Sequence, residues 1–231
     1  MNLLAFDTST EVMSIGVSRT VDGLPKQWLH TGAGGAQAST GLIAGVMDLL
    51  QQAGLALADL DAICFGAGPG SFTGLRTACA VAQGLAFGAD VPVLPVDTLL
   101  AVAEEARFAA LDGAATVRVS ALLDARMDEM YTATYDFDGT LWCEVEGSHL
   151  VRPEAFALVP AAAPQVLAGN VFAVYGDRLT GVTEPSVQRI AALPTAAAML
   201  RLAPALLAAG KSVPAAQALP SYIRDKVAKT T

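Results

Sequence analysis

Asn2-Leu-Leu-Ala-Phe-Asp7, then the alternating stretch Val12-Met-Ser-Ile-Gly-Val-Ser-Arg19 and the pair Asp22-Gly23, decides the fold. The first run is short and apolar up to its closing acid, as in a strand buried on both faces. The second alternates, which is the mark of a half-buried strand, and Asp-Gly is a two-residue hairpin signal. Residues 25–31 read as a third strand and Gly32 to Gly35 as a break.

Further along, residues 37–53 follow a helical period. Leu42, Val46, Leu49 and Leu50 share a face, Ile43 and Met47 lie beside it, and Gly54 stops the helix. A strand at Ala62 to Gly66 leads through Gly66-Ala-Gly-Pro-Gly-Ser-Phe-Thr-Gly74 into a helix over 72–89. A strand at Val91 to Val96 and a helix over 98–110 follow, giving the order βββαβαβα. The second half repeats this plan. Asp124 closes a strand at 117–123, and Asp138-Gly139 turns the next at nearly the spacing of Asp7 to Asp22. Then come a strand at 141–151, a short helix near 153–159, a strand at 165–168, a helix at 171–178, and a helix at 195–209 ended by Gly210. The expectation is an α/β protein of two βββαβαβα lobes, residues 1–98 and 99–231. A duplicated unit of this kind is the plan of the actin-like (ASKHA, ribonuclease H-like) superfamily.

Composition bounds the rest. Of 231 residues, 53% are hydrophobic and 16% charged, ample for a packed core and unlike a disordered chain. The net charge of -8 disfavours unaided binding to a nucleic-acid backbone. A local exception is the tail from Ser221 to Thr231, where Arg224, Lys226 and Lys229 face only Asp225; it reads as a solvated terminus. Cys64, Cys79 and Cys143 form neither a disulfide framework nor a metal motif, and read as small buried hydrophobes. The N-terminus lacks the basic region of a signal peptide, and Pro160, Pro164 and Gly169 break the uncharged stretch 155–176, so the expectation is a soluble, cytoplasmic protein with no membrane contact.

In the actin-like plan each lobe offers a hairpin whose N–H groups hold phosphates, with an acid working through a metal ion or water. Small residues are needed there so that phosphate oxygens can reach the backbone. Asp7, Thr8, Ser9 and Thr10 fit as a vestigial phosphate loop. The counterpart Asp124-Ala-Arg-Met-Asp-Glu129 does not: Arg126 and Met127 are bulky, and Asp128 and Glu129 repel phosphate. Asp124 and Asp128 read as partners in a turn salt bridge with Arg126. The turn Gly68-Pro69-Gly70-Ser71, with Thr73, Gly74 and Arg76 beyond it, is no Walker loop, for no lysine stands between Lys26 and Lys211. It is no dinucleotide motif either, because Ser71 fills the third glycine position. It reads as a strand-to-helix turn in which Ser71 caps the helix and whose N-terminus can attract an anion. His30 and His149 stand outside any metal-ligand spacing, and no nucleophile elbow is present. No catalytic residue and no metal ligand is assigned.

The run Gly68-Pro-Gly-Ser-Phe-Thr-Gly-Leu-Arg76, continuing Ala80-Val-Ala-Gln-Gly-Leu-Ala86, resembles the TsaB (YeaZ) family and, more loosely, its relative TsaD. Leu4-Ala-Phe-Asp-Thr-Ser9, Asp124-Ala-Arg-Met127 with Tyr131, and Pro220-Ser-Tyr-Ile-Arg224 resemble the same family in the same order. The resemblance implies the two-lobed actin-like fold and a non-catalytic scaffold or activator. Such a subunit pairs with TsaD, which transfers the threonylcarbamoyl group to the adenosine beside the anticodon of tRNA. It further implies TsaE as a third component, tRNA met only through the complex, a homodimer when the chain is alone, and no cofactor of its own beyond a nucleotide at the junction with its partner. TsaD holds its metal through an HxxxH pair. This chain has none, and Ala38 stands where many family members keep a histidine.

The resemblance also points to the first two helices as the partner surface. Gly41 and Gly45, and Gly74, Ala78 and Ala82, are spaced by four, so each helix carries a stripe without bulk, with Met47 and Leu50 supplying apolar contacts. The competing readings are an autonomous small-molecule kinase or ATPase of the same superfamily, and a peptidase, for which the sequence offers no nucleophile or metal triad.

Overall fold

The computed structural model describes residues 1–111, 116–161, 164–182 and 187–224. These form two five-stranded sheets of identical topology. The first contains β1 (Leu3–Asp7), β2 (Val12–Val21), β3 (Leu24–Ala33), β4 (Ala62–Gly68) and β5 (Val93–Asp97), in the order β3-β2-β1-β4-β5. The second contains β6 (Val117–Asp124), β7 (Met130–Phe137), β8 (Trp142–Val151), β9 (Gln165–Gly169) and β10 (Gln188–Ala191), in the order β8-β7-β6-β9-β10. In each, the first strand pairs antiparallel with the second and parallel with the fourth. The duplication read from the two acid-to-turn spacings is therefore present, and Asp7 and Asp124 close equivalent strands.

Local chemistry explains the elements. β1 and β4 are buried at every position, as parallel strands covered on both faces must be. Asp22 and Gly23 take φ of 51° and 80°, the left-handed pair that a tight hairpin requires. The helices are α1 (Ala38–Ala53), α2 (Phe72–Ala89), α3 (Thr98–Ala110), the single turn α4 (Phe172–Tyr175) and α5 (Ala196–Ala208). Gly54 ends α1 in a left-handed conformation. The Asp97 carboxylate caps α3 by accepting from the N–H groups of Leu99 and Leu100. Two expected helices and the burial of Cys143 need correction, and β10 has no counterpart in the sequence reading. The helix near 153–159 is a 3-10 turn at Pro153–Ala155, and that at 171–178 is α4 followed by a 3-10 turn. β10 carries no apolar run, since only Ile190 of its four residues is buried, yet the repeat demands it as the counterpart of β5. Cys143 is exposed, unlike Cys64 and Cys79.

α1 and α2 cover the outer face of the first sheet, where Leu42, Val46 and Leu50 meet Phe6, Ile15 and Phe65. The inner face is covered by α5, whose Ala196, Met199, Leu200 and Ala203 pack on Leu3, Ala5, Cys64 and Leu94. α3 lies against the second sheet through Leu99, Val102 and Ala106. The helix closing each half thus covers the other half's sheet. A break at residue 98 separates the sheets but not the layers, because the chain from α5 to Arg224 runs mainly along the first lobe.

Buried charge joins these layers. Glu104, 2% exposed, accepts from Arg107 Nε at 2.9 Å, Arg201 Nε at 2.8 Å and Trp142 Nε1 at 3.0 Å, so α3, α5 and β8 meet at one carboxylate. Burial pushes that carboxyl up, but the hydrogen bonds from Arg107, Trp142 and Arg201 outweigh it and hold it below the usual range. Asp97 makes a second junction, accepting from Tyr135 and Ser148 of the second sheet at 3.2 Å each.

Candidate functional site

A cleft of about 660 Å³ lies between the sheets. Its walls are the turns after β1 and β6, the Gly-rich turn after β4, and the chain from Ser221 to Arg224. The sequence reading of a phosphate loop at Asp7 to Thr10 would put a nucleotide here.

Asp7 does not line the cleft. It is fully buried, and its Oδ1 accepts from Ser9 N at 2.9 Å and Ser9 Oγ at 2.7 Å. Its Oδ2 has no partner among the described residues and lies against Gly66, where a Cβ would fall 1.9 Å away. Burial pushes the carboxyl up to about 7. An acid that orients a metal ion or water must reach the solvent side of the turn, and this one points inward. Thr8 is also inside, donating to Gly74 O at 2.7 Å. Ser9 and Thr10 reach the cleft wall.

The Gly-rich turn is filled by the chain itself. A Cβ on Gly70 would sit 2.5 Å from Ser9 Cβ, and one on Gly74 would sit 1.8 Å from Thr8 O. Gly68 has φ of 126°, and a Cβ there would lie 2.4 Å from Ser221 O. These glycines admit the β1–β2 turn and the C-terminal segment to van der Waals contact. Ser71 N donates to Ser9 O at 2.7 Å, so the amide at the helix entrance is also used internally. Ser71 stands at the N-cap of α2 but makes no side-chain capping bond, contrary to the sequence reading. Pro69 O accepts from Thr98 Oγ1, and Thr73 O from Thr77 Oγ1 at 3.0 Å. Arg76 lies 3.9 Å from the Phe72 ring and donates through Nε to Tyr222 OH at 3.0 Å.

The opposite jaw departs from a phosphate loop. Arg126, Met127 and Asp128 take φ of 61°, 58° and 60° in succession. Asp124 accepts from Arg126 N at 2.8 Å and Tyr175 OH at 3.0 Å, and Asp128 pairs with Arg178 at 2.8 Å rather than with Arg126. The carbonyls of Ala125 and Arg126 accept from the Arg224 guanidinium at 3.0 and 3.4 Å. This jaw presents carbonyl oxygens committed to a cation, where a phosphate would need N–H donors. Among the described residues no three His, Cys, Asp or Glu side chains stand close enough to hold a metal ion.

The small-residue stripes of α1 and α2 face inward, which corrects their assignment to a partner surface. A Cβ on Gly45 would lie 2.6 Å from Ile15 Cδ1, and one on Gly41 would lie 3.5 Å from Met13 Cε. Leu50, Gly74, Ala78 and Ala82 are buried in the chain's own core. Of the residues read as an interface, Met47 is exposed, at 49%. The outward face of α1 instead carries Thr40, Ile43 and Met47, and that of α2 carries Ala80, Gly84 and Phe87. Ala38 is wholly buried, so a larger side chain there would have to displace core.

The family model described as "TsaD: tRNA N6-adenosine threonylcarbamoyltransferase" matches residues 37–231. The tRNA threonylcarbamoyladenosine biosynthesis protein TsaB of Escherichia coli is 34% identical over 99% of this chain and 96% of its own length. The chain belongs to the TsaB family. TsaB of Haemophilus influenzae is 33% identical over 98% of this chain and 95% of its own length. The solved structure of YeaZ from Pseudomonas aeruginosa superposes with a TM-score of 0.82 at 38% identity, covering 96% of this chain and 99% of that one. The TsaB-family topology thus extends through both sheets. Among the described residues no helix is long and apolar enough to cross a membrane.

Proposed function

We propose that this chain is the non-catalytic subunit that supports TsaD in the biosynthesis of tRNA threonylcarbamoyladenosine. The observation that carries the reading is the near full-length identity with two TsaB proteins named for that pathway. The cleft supports the non-catalytic part. Its acid is turned inward, its glycines contact the chain itself, and its second jaw is occupied by an arginine. No observation favours an autonomous kinase, ATPase or peptidase.

The docking face in this reading is the outer side of α1 and α2, where Ile43, Met47 and Phe87 are 52%, 49% and 83% exposed. TsaD covers it in the complex, and a second copy of this chain covers it in the homodimer. TsaE and tRNA join through TsaD, in keeping with the acidic net charge of -8. Any nucleotide belongs to the junction with the partner, and the complex works in the cytoplasm.

Affinity capture of the chain from native extract should bring down TsaD, and the isolated chain should not turn over ATP. Capture without TsaD would overturn the partnership. Hydrolysis at about 1 s⁻¹ or faster, abolished by Asp7→Ala, would overturn the non-catalytic assignment.

A further inference from the structure

The segment Pro220 to Arg224 spans the cleft, with one anchor on each side. On the first lobe, Ala218 O accepts from Gln83 Nε2 at 2.8 Å, Ser221 N donates to Ala67 O at 2.7 Å, and the Tyr222 ring lies 5.5 Å from Phe72. The chain then crosses to the second sheet, where Ile223 packs against that sheet's apolar cluster. Arg224 ends the crossing. It donates to the carbonyls of Ala125 and Arg126 and forms an ion pair with Glu129, its side chain only 16% exposed.

We propose that residues 220–224 form an intrachain clasp that sets the opening between the two lobes and covers the mouth of the cleft, releasing as one unit when Arg224 lets go. Three features make this more than a packed terminus. Gly68 is spared a side chain at the point where the clasp lies, since any Cβ would meet Ser221 O at 2.4 Å. The Arg224 carbonyl acceptors are Ala125, just before the run of left-handed residues from Arg126 to Asp128, and Arg126, its first member, so the cation holds the entry to a turn of unfavourable conformation. The apolar layers of α3 and α5 join the sheets on the inner side. The clasp joins them at the mouth, so its release opens the mouth without dismantling that core.

Amide hydrogen exchange on the full chain tests this. Arg224→Ala removes charge-assisted bonds and should speed exchange about tenfold or more at 219–224. It should do the same at 66–72, which Arg224 does not touch, while β1 and β6 stay as protected as before. Acceleration confined to 124–129, or absent everywhere, would show Arg224 to be a local tether and overturn the clasp. If protection in Arg224→Ala falls across both sheets, Glu129→Gln decides, because it weakens the same anchor while leaving the clasp residues intact. Linked acceleration at 66–72 and 219–224 in that variant supports the proposal, and unchanged rates there refute it.

Discussion

Asp7 keeps one carboxylate oxygen on Ser9 and the other against the bare backbone of Gly66. A fully buried carboxyl with no cation beside it among the described residues resists ionisation, which is why its pKa rises from 3.8 to about 7. Between those values the folded protein holds a proton that the unfolded chain has released. The stabilising effect of this group is therefore full below about 3.8 and is lost as pH rises to about 7. Asp7→Asn cannot ionise, so the stability of the variant relative to the parent should climb by as much as roughly 4 kcal/mol between pH 4 and pH 8. Urea denaturation of both proteins across that range measures it, and a flat difference would mean that Asp7 is ionised and solvated. The sequence shows an acid followed by small hydroxyl residues, which fits a phosphate loop as well as it fits this packing. What separates the two is which way the carboxylate turns, and that depends on Gly66, about sixty residues away in sequence.

α1 illustrates what periodicity can and cannot convey. A spacing of four places Gly41 and Gly45 on one side of the helix, and the structure has them there. Whether that side meets another chain or the helix's own sheet is set by the large residues opposite, here Met13 and Ile15 of β2. Gly45→Leu should accordingly cost about 1–3 kcal/mol of stability through overpacking against Ile15. Met47→Asp, on the exposed side, should leave stability within about 0.5 kcal/mol yet weaken capture of TsaD at least tenfold. Thermal melts with a binding titration distinguish the two, and the opposite pattern would restore the glycine side as the interface. Elements with an end signal were legible: Gly54 and the Asp22-Gly23 pair mark where they belong. β10 was not, because Gln188, Arg189 and Ala191 are exposed and a strand with one buried residue leaves no pattern to read.

At the scale of the whole molecule, the repeated strand order was legible because Asp7, Asp124 and the two Asp-Gly turns mark the same corners in both halves. The exchange of covering helices was not, since an apolar helix does not say which sheet it will cover. α5 buries the inner face of the first sheet, including Leu3, Ala5, Cys64 and Leu94. A fragment of residues 1–111 should therefore bind a hydrophobic dye and associate, and a separate chain of residues 194–224 should suppress both. A fragment that melts cooperatively as a monomer without dye binding would contradict this layer assignment. The same exchange constrains the order of events during synthesis. The first strand of the first sheet begins at Leu3 and is made early, but the last wall of the first lobe ends at Ala208. The first lobe therefore cannot complete its core while the second is still being made, even though domains usually fold as they emerge from the ribosome. Through most of translation the part of the first sheet that α5 covers is bare, an apolar surface open to association until that last helix emerges.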